Sequence, residues 1–231
     1  MKTTRPIFPA PPGPIIHTER LVLRPTRLSE VDAYHEMRSN AQVMLNSVSG
    51  LVDADREATQ LFLNKLVNGK NGPTYTFSIY VADKDASADH GGAGGGDDGG
   101  GDAPATGERF VGNVGFYDMA KPAVGYMLRR EEWGKGYATE ALRGALNNYW
   151  RLPRHAVDSE DDWPELKRYQ TIEQDGSVRE GVRAMIEVKN AGSKRVVGKC
   201  GFALVEGKEW VPAPDHRGPE KLVWYYLEKP L

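Results

Sequence analysis

The 231-residue chain is 39% hydrophobic and 27% charged, with five Trp, ten Tyr and six Phe, which supplies a core and excludes wholesale disorder. A formal net charge of -2 excludes a nucleic-acid binder working by bulk positive charge, and the single Cys200 excludes an internal disulfide. No apolar run approaches the ~20 residues that span a bilayer, and the opening MKTTRPIFPAPPGP has no signal-peptide core. The expectation is a cytoplasmic protein, monomer or homodimer, with no nucleic-acid or membrane partner and one domain over residues 1–231.

In chain order, the arm 1–16 carries five prolines between Pro6 and Pro14 and reads as an extended, polyproline-like lead-in. HTERLVLRPT (17–26) alternates like a half-buried strand. Ser29 is expected to cap a helix with Val31, Tyr34 and Met37 on one face. Asp53 or Asp55 opens a second, with Ala58, Leu61, Phe62 and Leu66 at helical spacing. YTFSIYVAD (75–83) is a strand, and RFVGNVGFYDM (109–119) and AVGYMLRR (123–130) form a hairpin. Between them, residues 84–107 hold eight Gly within the eleven positions 91–101 and carry a net -4. Such a stretch repays none of its ordering entropy and reads as a disordered loop. Its G-x-G-x-x-G match at Gly94, Gly96 and Gly99 has neither the strand before nor the helix after that a dinucleotide site requires. A helix follows Gly136, with Ala138, Ala141, Leu142, Ala145 and Tyr149 on one side. Then come an acidic insert (151–181) with a short helix near 162–169, a strand at 182–188, a helix at 193–200 and two closing strands. The order is that of an α/β (α+β) protein built on one sheet.

The strand–turn–helix at 124–142 is the most informative stretch. Gly134 and Gly136 flank Lys135 at a helix entrance, where main-chain N–H groups, the helix dipole and the Thr139 hydroxyl suit a pyrophosphate. It is not a P-loop, because Gly136 stands where Ser or Thr is required. A tight turn with no ligand is the other reading of the glycines alone.

VGYMLRREEWGKGYATEAL resembles the cofactor-binding motif of the GNAT acetyltransferases, in particular the branch of the ribosomal-protein N-terminal acetyltransferases. VKNAGSKRVVGKCGF (188–202) is similar to the family's Asn-x-x-Ser helix, and TERLVLRP to that branch's first strand. The resemblance covers roughly 17–231, apart from the glycine loop and the acidic insert. It implies a mixed, mostly antiparallel, twisted sheet of about six to seven strands, splayed between its central strands and flanked by about four helices. It also implies acetyl-CoA as cosubstrate and an amine as acceptor. Carried over, Leu128 and Arg129 offer main-chain groups to the pantetheine amides. Trp133, Gly134, Lys135, Gly136, Tyr137, Ala138 and Thr139 form the pyrophosphate turn, and Asn190 and Ser193 meet the pantetheine arm near the thioester. Asn190 is equally well placed to cap its helix.

The chain departs from the family pattern at two places. Glu131 heads the turn where Gln or Arg is usual, and Ala123 stands where the branch often carries a Glu before Ile-Gly-Tyr. The reaction implied is direct attack of an uncharged amine on the thioester carbon. Asp118, Tyr117 and Tyr126 are the candidates for the base that takes the amine's proton, with Tyr225 and Tyr226 as alternatives more in keeping with sheet packing. Ser193 is the candidate for protonating the leaving thiolate. Cys200, with no nearby His, reads as a small hydrophobe rather than a nucleophile. Five scattered histidines, without paired ligands, imply no metal. Without the usual Glu, a coenzyme A-binding module that does not catalyse is the competing reading.

Overall fold

The computed structural model describes residues 3–9, 13–47, 49–69, 74–82, 107–118, 122–157, 179–210 and 222–230, without the side chains of Ala82, Asp118 and 207–210. Most of the glycine loop and the short helix near 162–169 lie outside these residues, so nothing bears on either expectation.

Ten strands and five helices are described, in the order β1 (Thr3–Pro6), β2 (Ile16–His17), β3 (Leu21–Pro25), α1 (Val31–Arg38), α2 (Ala41–Met44), α3 (Arg56–Asn68), β4 (Tyr75–Ala82), β5 (Glu108–Asp118), β6 (Ala123–Leu128), α4 (Tyr137–Arg151), β7 (Arg154–Val157), β8 (Gly181–Glu187), α5 (Ala191–Lys199), β9 (Ala203–Trp210) and β10 (Leu222–Glu228). Eight strands form one sheet in the order β2-β3-β4-β5-β6-β8-β10-β9, antiparallel throughout except between β6 and β8. The sheet is thus wider than the six to seven strands expected, because the short β2 pairs onto β3 at the edge.

Alternation along the strands divides the apolar residues between two faces. Leu21, Leu23, Phe77, Ile79, Val114 and Phe116 pack against Ala141, Leu142, Ala145 and Tyr149 of α4, and Phe116 stacks on Tyr149 with ring centroids 4.3 Å apart. On the other face Tyr80 and Phe110 meet Val31, Tyr34 and Met37 of α1 and Leu63 and Leu66 of α3. Each such side chain contributes about 1.5–3 kcal/mol on full burial, so both helical layers are firmly seated.

Three local expectations are corrected. Ser29 does not cap α1: a 3-10 turn over Leu28–Glu30 leads into it, and the Glu30 carboxylate accepts from the Arg27 amide and the Ser78 hydroxyl, each at 2.7 Å. In α3, capped by Asp55 through the Ala58 N–H at 2.8 Å, Leu61 is 56% exposed and Leu63 takes its place in the core. Nor is the N-terminal arm merely a lead-in, since β1 pairs with β7 inside the segment read as an acidic insert. Glu180 bolts this small sheet down, its buried carboxylate accepting from the Thr4 hydroxyl at 2.9 Å and from Arg154 Nε at 3.2 Å.

The glycine loop joins two paired strand ends, since Ala82 faces Glu108 across the β4–β5 ladder. A short linker therefore closes the hairpin without moving either strand. Replacing 86–105 by such a linker is expected to leave cofactor affinity within about threefold, as measured by calorimetric titration. A large loss would show that the loop contacts the ligand.

Candidate functional site

Parallel β6 and β8 pair at one position, Ala123 opposite Arg183, where the Arg183 amide donates to the Pro122 carbonyl at 2.9 Å. Beyond it no further pair joins them among the described residues, and a gap opens toward Leu128. The Arg129 N–H donates to Val111 of β5 at 3.0 Å. Main-chain groups of alternate residues in an antiparallel ladder point to opposite sides, so Tyr126 and Leu128 turn theirs toward the gap. The Leu128 carbonyl accepts from Trp133 Nε1 at 3.0 Å, which leaves its amide for the gap. Arg129, expected to contribute in the same way, has both main-chain groups committed elsewhere, its carbonyl accepting from the Glu132 N–H at 3.1 Å.

A 3-10 turn, Arg130–Glu132, links β6 to α4. Glu132, only 2% exposed, anchors it from below through Arg109 and through Lys135 Nζ at 3.1 Å. Trp133 lies under the Arg130 guanidinium, 4.6 Å from the ring centroid. Glu131, the departure at the head of the turn, is exposed and stands 3.7 Å from the Arg129 guanidinium, so it carries its own counter-charge. Gly134 and Gly136 adopt φ of +79° and +85°, a region that strains any residue with a Cβ. Gly136 is the N-cap of α4 and makes no side-chain capping bond. The first intrahelical bond runs from the Glu140 N–H to the Gly136 carbonyl at 3.1 Å. The N–H groups of Gly136, Tyr137, Ala138 and Thr139 precede it and have no acceptor in the helix, at the positive end of its dipole.

Across the gap, Asn190 does cap α5, accepting from the Ser193 N–H at 2.9 Å. Tyr126 Oη donates to the Ser193 carbonyl at 3.2 Å, so strand and helix are tied at the residue expected to meet the thioester. Burial pushes the Tyr126 phenol up to about 12. It therefore keeps its proton at neutral pH and serves as a donor. Burial also raises the Tyr117 phenol, outweighing the lowering effect of the Asn113 amide that donates to it at 3.0 Å. The Tyr117 ring lies against β6, where a Cβ on Gly125 would stand 2.6 Å from it. Asp118 ends β5 opposite Ala123, apart from Tyr126 and Ser193. Tyr225 packs on the core, and Tyr226 donates to the Arg179 carbonyl at 3.2 Å. The Cys200 thiol, raised by burial, faces the Thr139 carbonyl at 3.7 Å and packs at the core margin.

Arg20 and Glu140 also belong to this neighbourhood and were not singled out from the sequence. Arg20 reaches the turn from the β2–β3 connection and pairs with Glu140 in the first turn of α4 at 2.7 Å. A carboxylate four residues into the helix invites an intrahelical or dipole role, and only the tertiary fold brings position 20 to it. Among the described residues, no three His, Cys, Asp or Glu side chains gather as a metal site, and no helix is long and apolar enough to cross a membrane.

A splayed parallel strand pair thus lies beside a glycine-flanked helix start that has no side-chain cap. Residues 20–203 match the family model for the acetyltransferase (GNAT) domain, and the chain belongs to that family. The fold is shared with a GNAT-family acetyltransferase from Bacillus anthracis, at 19% identity and TM-score 0.59, covering 94% of this chain and 99% of that one. It is shared also with the Salmonella typhimurium acetyl transferase described as modifying the N-terminal serine of ribosomal protein L7/L12, at 16% identity and TM-score 0.60, covering 93% and 99%. RimL, a ribosomal L7/L12 alpha-N-protein acetyltransferase solved in complex with coenzyme A, aligns at 16% identity and TM-score 0.61, covering 93% and 98%. No curated protein matches the chain significantly.

Proposed function

We propose that this GNAT protein transfers the acetyl group of acetyl-CoA to a primary amine, on a protein N-terminus or a small molecule, by direct attack in a ternary complex. The observation that carries this reading is the juxtaposition of the β6/β8 gap with the N–H groups at the start of α4 that have no acceptor in the helix. A pyrophosphate placed on the amides of Gly136, Tyr137, Ala138 and Thr139, walled by Trp133, Gly134 and Lys135, would direct the pantetheine arm along the gap. There the amides of Tyr126 and Leu128 lie on one side and Asn190 and Ser193 on the other. That RimL was solved in complex with coenzyme A supports coenzyme A as the ligand.

Acetyl-CoA supplies an activated acyl carbon. The chain's part is to hold that carbon within ~3–3.5 Å of the amine, polarise its carbonyl through strand N–H groups and manage two protons. As the amine nitrogen bonds to the carbon, the C–S bond breaks, the thiolate leaves and the nitrogen releases a second proton, which restores the group that protonates the thiolate. Ser193, whose backbone is held by Asn190 and Tyr126, is assigned as the thiolate's proton donor. An ammonium of pKa roughly 8–10 loses its proton before or during attack. With Tyr117 and Tyr126 both protonated at neutral pH, that proton leaves through water, with Asp118 as the carboxylate candidate.

The test is thiol release from acetyl-CoA against a panel of N-terminal peptides, polyamines, amino acids and drug-like amines. Turnover on one class supports the reading; coenzyme A binding without turnover on any class replaces it by the non-catalytic module. On the accepted amine, Ser193→Ala is expected to lower kcat by about 100-fold or more, a positioned acid contributing roughly 10²–10⁴-fold, with little change in KM for acetyl-CoA. An unchanged kcat would remove Ser193 from the proton transfer.

A further inference from the structure

We infer that Arg20 is a positioning residue for the phosphate-binding turn, acting through the Lys135–Gly136 peptide, an inference that rests on the proposed cofactor reading. Arg20 lies over 110 residues away in sequence from the contacts it makes. Its main-chain N–H and its Nε donate to the two oxygens of Glu140 at 2.8 and 2.7 Å, and the Thr18 hydroxyl donates to the same carboxylate at 2.6 Å. Its Nη1 donates to the Lys135 carbonyl at 3.1 Å, and its guanidinium lies 4.9 Å from the centre of the Tyr137 ring. A Cβ built on Gly136 would come within 3.3 Å of Nη2. One side chain therefore grips the turn from outside at Lys135, Gly136, Tyr137 and Glu140.

Two consequences follow for an anion on the inner side. The Lys135–Gly136 peptide is planar and trans, so its carbonyl and its N–H point in opposite directions. Drawing the Lys135 carbonyl outward to Arg20 turns the Gly136 N–H inward, toward the other amides without an acceptor in the helix. Glu140 would also place a negative charge in the first turn of α4, beside the diphosphate. Burial alone would raise its carboxyl, but the Thr18 hydroxyl and then the Arg20 amide and guanidinium outweigh that and hold it below its ordinary value. Arg20 thus balances a carboxylate that stays ionised, and it sets the amide direction in the same contact. Arg129, Arg130 and Lys135, the other cations near the turn, are already engaged with Glu36, Gln42 and Glu132.

The experiment uses the full chain and two probes, coenzyme A and S-acetylpantetheine, the latter lacking the diphosphate. Arg20→Gln is expected to weaken coenzyme A by about tenfold, the scale of one lost charge-assisted hydrogen-bond set, and to raise KM for acetyl-CoA in proportion. kcat, KM for the amine and affinity for S-acetylpantetheine should stay as in the wild type. Arg20→Lys keeps the charge but not the fork, and should recover only part of the loss; it also serves if Arg20→Gln does not fold. Unchanged coenzyme A affinity in either folded variant overturns the inference, as does equal weakening of both probes. Failure of the wild-type protein to bind coenzyme A would instead overturn the cofactor reading on which it rests.

Discussion

Gly136→Val is expected to abolish acetyl-CoA binding, with affinity down by at least ~100-fold in calorimetric titration, while the circular dichroism spectrum stays that of the wild type. Gly136 sits at φ +85° as the N-cap of α4, and valine is among the residues least able to adopt that angle. To relieve the strain, the peptide on either side must rotate, which redirects the amides that face the anion. If the angle is kept, a Cβ stands 3.3 Å from the Arg20 guanidinium, and its two methyl groups crowd the space beside the turn. The local strain is about 1–3 kcal/mol, below the ~5–15 kcal/mol that holds a typical domain together, so the loss falls on the ligand and not on the fold. Lys135→Ala should be far milder, within about threefold, because a half-exposed ammonium is screened by solvent. Its Nζ is already turned to Glu132 at 3.1 Å. Should Lys135→Ala prove the more damaging of the two, the main-chain cradle would have to give way to a side-chain site.

The contrast between Gly136 and Arg20 shows which parts of the site can be read from a sequence. A Gly-x-Gly before an amphipathic helix announces its geometry locally, since the positive φ and the exposed amides arise within three residues. Asn190 was legible for the same reason, as a cap three residues from its acceptor. Arg20 and Glu140 meet only after β2 and β3 are laid against α4, and no spacing rule connects positions 120 apart. The same limit applies to the arm. Its prolines announce no partner, and the pairing of Thr3–Pro6 with Arg154–Val157 is tied to Glu180, far along the chain. Ser29 misled because a cap signal is weak beside the half-buried Glu30, which Ser78 and Tyr80 recruit from β4. Strand β6 was legible in the sequence as one arm of a hairpin. Its hydrogen-bonding side was not: the Arg129 N–H and carbonyl are bonded to Val111 and Glu132.

The largest expected loss of stability comes from Asp53→Ala. Arg38 Nε and Nη2 donate to the two oxygens of Asp53 at 2.7 and 2.8 Å, and both side chains are less than a tenth exposed. Asp53 also accepts from the Thr59 hydroxyl at 2.8 Å, Thr59 contacts His35 Nδ1 at 2.9 Å, and the Arg38 guanidinium lies 3.7 Å from the Phe62 ring centre. The pair thus ties α1 to α3 on the face of the sheet away from α4. Removing the carboxylate strands a buried guanidinium, at a cost of about 3–5 kcal/mol. Removing both charges with Arg38→Met and Asp53→Leu should recover most of that loss, because the desolvation of the pair disappears with it. The pH dependence has a definite sign. Burial would raise the Asp53 carboxyl, but the hydrogen bonds from Arg38 and Thr59 and the nearby positive charge outweigh it, and the group lies below its ordinary value. A carboxyl depressed in the folded state contributes its full stability above the unfolded value of ~3.9 and loses it as the pH falls through the folded value. The advantage of the wild type over the Asp53→Ala variant in urea unfolding should therefore be constant from about pH 7 to 5 and shrink below about pH 4. A difference that stays constant down to the acid limit would show that the cost of Asp53→Ala is lost packing and not an uncompensated charge.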